Sequence, residues 1–217
     1  GWIAGDNSTI YKTTNSGESW IQQTSPEASN FQCITFVDAN TGWACGTGGT
    51  VIKTTNGGAS WFSQTFTASK FNSMDFIDAH TGEIAGDFGN IRKTTDGGST
   101  WVPQISGVSQ TLHQIKFKDS TRVFAVGDNA IILTTHNSGL DWDTVSGPGI
   151  GGQIFYALGI ETHVIPLQAV STGTLTKYYI NTPGGWLFGQ FPTETIYSLT
   201  HIRENRFCGV GANGYIV

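Results

Sequence analysis

A chain of 217 residues, 38% of them apolar and 12% charged, holds enough material for one large all-β domain or two small ones with a real core. Its 29 glycines show no collagen period, and with Thr, Ser and Asn they crowd segments that read as turns. A net charge of −5 without a basic face argues against nucleic-acid binding, and no apolar run approaches the ~18 residues of a membrane-spanning helix.

The first predicted element is the apolar run Trp2-Ile-Ala4, which ends at Gly5. It is followed by the box Thr13-Thr-Asn-Ser-Gly-Glu-Ser-Trp20. The box returns as Thr54–Trp61, Thr94–Trp101 and Thr135–Trp142, with the shared pattern T-x-[ND]-x-G-x-x-W. Fifteen residues before each Trp stands a glycine: Gly5, Gly46, Gly86 and Gly127, spaced by 41, 40 and 41 residues. Ten residues before the last three of these stand Phe36, Phe76 and Phe117, in runs that alternate with Ile34, Met74 and Ile115. Asp38, Asp78 and Asp119 follow and begin turns.

One unit therefore predicts four short strands, which in the third unit are Phe71–Ile77, Glu83–Gly86, Asn90–Thr94 and Thr100–Gln104. A four-stranded repeat of about 40 residues is the signature of a β-propeller blade. Strand two is apolar on both sides of its pleat, as at Ala44-Cys45 and Ala125-Val126, which suits a sheet covered on both faces.

The box reads as a tight turn between antiparallel strands. The side chains of Asn15, Asn56, Asp96 and Asn137 accept hydrogen bonds from turn amides. Gly17, Gly58, Gly98 and Gly139 supply a positive φ, and Trp20, Trp61, Trp101 and Trp142 offer apolar plates to the core. A fifth unit keeps register through Tyr179-Ile-Asn-Thr-Pro-Gly-Gly-Trp186, with Asn181 and Trp186 in place and Pro183 where glycine belongs. It lies 44 residues after the fourth, so a small insertion is expected around Gly147–Gly152. A sixth unit, Cys208–Val217, matches strand two and the start of strand three.

The expectation is an all-β, single β-propeller domain over 1–217, with blade units of about 1–29, 30–69, 70–110, 111–152, 153–194 and 195–217. The first and last are incomplete, in a natural ring of six or seven blades. No signal peptide is visible in a chain that begins at Gly1 and whose single methionine is Met74, which reads as a processed or trimmed piece. Cys33, Cys45 and Cys208 contain no C-x-x-C pair. Cys33 and Cys45 are placed so that they could face each other across one hairpin, either as a disulfide or as two small packing residues.

The combined pattern F-x-D-x-x-x-G-W-A-x-G in Phe36–Gly46, then G-x-I-x-K-T-T-[ND]-G-G-x-x-W as in Gly89–Trp101, resembles the Asp-box (BNR) propellers. Among them it is most similar to the photosystem II stability and assembly factor family and its secreted bacterial relatives. Phe31–Trp61 and Phe71–Trp101 carry the match best, and Gly147–Trp186 only weakly. The resemblance implies a non-enzymatic, extracytoplasmic scaffold or module of a larger surface protein, in the thylakoid lumen if the source is photosynthetic. The implied partner is a protein or peptide. Asp boxes also occur in sialidases, xyloglucan hydrolases and sorting receptors, so a carbohydrate-binding or glycoside-hydrolysing propeller is the alternative.

The residues favour the first reading. A sialidase needs an arginine cluster, and the chain has only Arg92, Arg122, Arg203 and Arg206, without the Phe-Arg-Ile-Pro segment typical of sialidases. Most acids are repeat copies in turns, and the unrepeated ones (Glu27, Asp75, Glu83, Asp143, Glu161, Glu194, Glu204) have no neighbour that marks a proton donor. The five histidines lack metal-ligand spacing and no calcium loop is present, so no catalytic residue, metal or cofactor is assigned. One binding candidate stands out: a mildly acidic, amide-rich rim in the strand two–three turns. It consists of Asp6, Asn7, Asp87, Phe88, Asp128, Asn129 and Asn213.

Overall fold

The computed structural model describes residues 1–66 and 70–145 in full and, beyond them, the backbones of six strands between 154 and 211. The expected insertion at 147–152 and Asn213 lie outside the described residues. The chain forms two compact units, Gly1–Gln104 and Ile105–Val217. Within each, every sheet is an antiparallel meander of strands consecutive in sequence.

The first unit holds three sheets. The first is β1 (Trp2–Ala4), β2 (Ile10–Lys12) and β3 (Ile21–Gln23). The second is β4 (Phe31–Phe36), β5 (Gly42–Gly46), β6 (Thr50–Thr54) and β7 (Phe62–Thr65). The third is β8 (Phe71–Phe76), β9 (Gly82–Gly86), β10 (Ile91–Thr94) and β11 (Val102–Gln104). The second unit contains β12 (Leu112–Phe117), β13 (Val123–Gly127), β14 (Ile132–Thr135) and β15 (Asp143–Thr144) in one sheet. It continues with β16 (Ile154–Gly159), β17 (Leu167–Thr172), β18 (Leu175–Thr182) and β19 (Gly185–Phe191) in the next. The pair β20 (Ile196–Arg203) and β21 (Arg206–Gly211) follows. Strands β5, β9 and β13 are buried at every position, as expected of strands covered on both faces.

The box hairpins explain where the ladders stop. Pairing of β6 with β7 ends at Lys53 opposite Phe62 and leaves Thr54–Trp61 as the turn. The hydroxyl of the fully buried Thr54 organises that turn. It accepts the amides of Asn56 at 3.3 Å and Gly58 at 2.9 Å, and donates to Asn56 Oδ1 at 3.0 Å. Asn56 Oδ1 also accepts the Ser60 amide at 2.9 Å, and its Nδ2 donates to Ser60 Oγ. Thr13, Thr94 and Thr135 repeat the arrangement with Asn15, Asp96 and Asn137. Gly58 and Gly98 have φ values of 89° and 85°, the left-handed region expected of them. Box tryptophans Trp61 and Trp101 are buried, Trp142 is half-buried, and Trp20 is 39% exposed on a three-stranded sheet that has no counterpart of Phe36.

Adjacent sheets of the first unit are joined by the same device twice. Trp2 stacks on Phe36 at 3.6 Å, and Phe36 meets Trp61 edge-on at 6.0 Å. Trp43 stacks on Phe76 at 3.6 Å, and Phe76 meets Trp101 at 5.9 Å. The indole N–H of Trp2 donates to the Gly57 carbonyl at 3.1 Å, and that of Trp43 to the Gly97 carbonyl at 3.0 Å. A Cβ at Gly42 or Gly82 would overlap the ring of Phe36 or Phe76, so only glycine lets the ring lie flat there. Cys33 and Cys45 are register partners on β4 and β5, and no disulfide joins them. Burial pushes the Cys45 thiol well above its ordinary value, which suits a packing role.

The fifth unit differs from the other four. Asn181 lies opposite Trp186, and Thr182 opposite Gly185, so both expected box residues sit on paired strands. The sequence supplies a reason. The threonine position is Tyr179 and the glycine position is Pro183, which has neither the amide that threonine captures nor access to a positive φ.

A threonine hub has a measurable consequence. Thr54→Val strands two turn amides, the Gly58 one buried, and is expected to lower stability by about 2–3 kcal/mol. Asn56→Ala is expected to cost about 1 kcal/mol, because water reaches the exposed Ser60 amide it served. Urea unfolding of both variants checks the order, and a larger loss for Asn56→Ala contradicts it.

Candidate functional site

Each sheet has two distinct ends. In the first four sheets the boxes join strands three and four at one end, and short turns join strands two and three at the other. In the first unit the latter are Asp6–Ser8 beside β1, Thr47–Gly49 and Asp87–Gly89, and in the second unit Asp128–Ala130. All use two successive residues of positive φ, with Asn7 at 55°, Gly48 at 67°, Phe88 at 58° and Asn129 at 56° in the first of the two places. Asn and Gly tolerate that conformation, whereas for a bulky side chain it is strained by ~1–3 kcal/mol. Phe88 adopts it nonetheless and is 74% exposed.

The rim acids have local work. Asp87 Oδ1 accepts Asn72 Nδ2 at 3.3 Å, and Asp128 Oδ1 meets His113 Nε2 at 2.8 Å, each tying the turn to strand one of its own sheet. Asp6 and Asn7 are exposed, and the Asn7 amide donates to Asn30 Oδ1. Asp6, Asn7, Asp87 and Phe88 thus occupy equivalent turns of the first unit, and Asp128 and Asn129 the matching turn of the second.

Four further acids are turn acceptors. Asp38 Oδ1 takes the amides of Asn40 and Thr41 at 2.7 Å, and these bonds hold the carboxylate below its ordinary range. Asp78 does the same for Thr81 and His80. Asp96 is lowered to about 2, chiefly by the Thr100 amide and then by the hydroxyls of Thr100 and Thr94. At Asp119 burial works upward, but the Thr121 and Arg122 bonds outweigh it and the carboxylate is held low. Arg122 Nε pairs with Asp119 at 2.7 Å, and Arg92 lies over the Phe66 ring at 4.7 Å, so neither described arginine belongs to an anion cluster. Among the described residues no group of three or more His, Cys, Asp and Glu is placed to hold a metal ion.

One acid is different. Glu83 stands on β9 where β1 and β5 carry Trp2 and Trp43, and Phe124 takes the place on β13. It is fully buried, and neither oxygen has a hydrogen-bond partner among the described residues. Desolvation raises its carboxyl to about 7, against a smaller downward pull from Lys93. Sequence alone had placed Glu83 among the unrepeated acids. Its signal was the repeat register, in which the other residues at this position are aromatic. The threonine hydroxyls of the boxes were likewise part of the pattern without being singled out.

The family model described as photosynthesis system II assembly factor YCF48 matches residues 18–103 and 61–148, together more than half of the chain. The chain belongs to this family. The solved structure of YCF48 bound to D1 peptide superposes with a TM-score of 0.70 and 21% identity, over 90% of this chain and 64% of that one. YCF48 from Cyanidioschyzon merolae gives a TM-score of 0.76 at 17% identity, over 99% and 75% of the two chains. The WD40 repeats of RRP9 give 0.73 at 12% identity, over 97% and 69%. At these identities the likeness establishes the fold, a β-propeller of Asp-box blades. The chain spans about 64% of the length of the D1-peptide-bound relative. No curated protein matches the chain.

Glu83 yields a pH prediction. Its folded value of about 7 lies above the ordinary 4.5, so its contribution to stability is complete below pH 4.5 and is lost as pH rises through 7. The loss amounts to about 3 kcal/mol. Relative to Glu83→Gln, the wild-type chain should lose that much stability between about pH 4.5 and 8. Parallel stability curves for the two proteins would contradict the assignment.

Proposed function

We propose that the chain is a non-catalytic, extracytoplasmic propeller that holds a segment of a partner protein during assembly, with the rim of strand two–three turns in the first unit as its contact surface. The family supports the assembly role, and a relative whose structure was solved with a D1 peptide supports a peptide partner. The observation that carries the rim is Phe88. An aromatic side chain held out in solvent on a strained backbone contributes nothing to the core. Exposed aromatics anchor protein interfaces. Asp6, Asn7 and Asp87 of the same unit add acidic and amide groups suited to backbone and basic side chains of a peptide.

The lack of catalysis is supported by Asp38, Asp78, Asp96 and Asp119, whose carboxylates are committed to turn amides, and by Arg92 and Arg122, which are engaged locally. No helix of the described residues is long and apolar enough to cross a membrane. Extracytoplasmic placement rests on the family resemblance, and fractionation of source cells tests it.

Fluorescence titration with a D1 peptide tests the binding reading. Wild-type protein should bind it, and Phe88→Gly, which installs the residue found at Gly48, should bind at least roughly tenfold more weakly with unimpaired stability. Equal binding by Phe88→Gly removes the rim from the account. No binding by wild type removes the D1-type partner.

A further inference from the structure

The fourth box departs from its three sisters in a way that folding does not require. Leu140 occupies the place of Glu18, Ala59 and Ser99. Ile105, four residues after a box tryptophan, stands where Thr24 and Thr65 stand in the first two units. Both changes replace a small or polar residue by a large aliphatic one. Both side chains are held in solvent, Ile105 at 87% exposure and Leu140 at 79%.

The structure of the second unit brings the two together. They line one groove of about 630 Å³, with Trp142 and the acids Asp141 and Asp143 also in its wall. His136 and Asn137 complete its polar edge, and neither Lys nor Arg lines it. Asp143 is itself a departure, since Ile21, Phe62 and Val102 occupy its place elsewhere. Around this groove an apolar residue on the outer strand of the fourth repeat has therefore become a carboxylate, while small or polar residues have become aliphatic at Leu140 and, in the third repeat, at Ile105.

We propose that this groove is a second protein-docking site, which takes an extended partner segment with an apolar side chain followed by Lys or Arg. The aliphatic pair and Trp142 receive the apolar side chain. Asp141 and Asp143 receive the cation, in a groove that offers it no competing positive charge. The site lies at the box end of its sheet, whereas the Asp128–Ala130 turn lies at the other end, so it stands independently of the rim.

The test uses a phage-displayed library of random heptapeptides selected on the full chain, followed by titration of a selected synthetic peptide. Four variants are compared with wild type: Leu140→Ser combined with Ile105→Thr, Asp141→Ser, Asp143→Asn, and Phe88→Gly. The first two install side chains of the sister repeats, so unchanged melting confirms that they fold. Selection is expected to enrich an apolar residue followed by Lys or Arg. The Leu140/Ile105 double variant should weaken binding at least roughly tenfold. Either aspartate variant should weaken it severalfold and flatten its salt dependence, and Phe88→Gly should leave it unchanged. The proposal is overturned if no peptide is enriched or if the enriched peptides lack a basic residue. It is equally overturned if the double variant binds as wild type does, or if the groove instead mediates self-association that the double variant abolishes.

Discussion

The first unit depends on a tryptophan lying flat on the phenylalanine of the next sheet. Trp2 on Phe36 and Trp43 on Phe76 are the same contact in two places, and three local features converge on each. Gly42 and Gly82 leave room for the phenylalanine ring, which a Cβ there would overlap. The box of the receiving sheet turns a carbonyl, at Gly57 or Gly97, toward the indole N–H. Lys12 and Lys53 place their ammonium groups 5.3 and 5.5 Å from the Trp2 and Trp43 ring centroids. An aromatic pair contributes ~0.5–1.5 kcal/mol beyond its buried area, and a hydrogen bond a similar amount. The box is therefore more than a turn: its backbone is a docking point for the neighbouring sheet.

This gives the departures from the repeat their meaning. Where a residue differs from its sisters yet the strands and turns persist, packing has not demanded the difference. Glu83 replaces a stacking tryptophan with a buried carboxyl and makes that position sensitive to pH near neutrality. Phe88, Ile105 and Leu140 do the opposite, setting apolar side chains in water. In a chain whose charge is sparse, these departures from the repeat give recognition a place to reside.

Much of the architecture was legible because glycine and tryptophan have few alternatives in this setting. The constant interval from Gly46 to Trp61 and from Gly86 to Trp101 reflects one strand, one box and one close approach, and the strands of the third sheet fall where that interval placed them. Two things were less legible. A threonine hydroxyl reads as a modest turn former, and its service to two amides at once shows only in three dimensions. In the fifth unit the letters Asn181 and Trp186 suggested a box, but Tyr179 and Pro183 had removed the groups that build one, and the ladder runs through Asn181 and Trp186 instead. For the site, sequence marked the rim turns but gave no means of ranking Phe88 above its neighbours, since strain and exposure belong to the backbone. It gave no sign of the groove, because Ile105 and Leu140 are 35 residues apart.

The central claim is that the joint between sheets is a specific contact and more than buried area. A double-mutant cycle on Trp43→Leu and Phe76→Leu, followed by urea unfolding, measures that directly. Each single change should cost ~2–4 kcal/mol. The double change should cost less than the sum by about 1 kcal/mol, the coupling expected of a stacked pair. Additive losses would show that the two rings stabilise the sheets independently and would contradict the account.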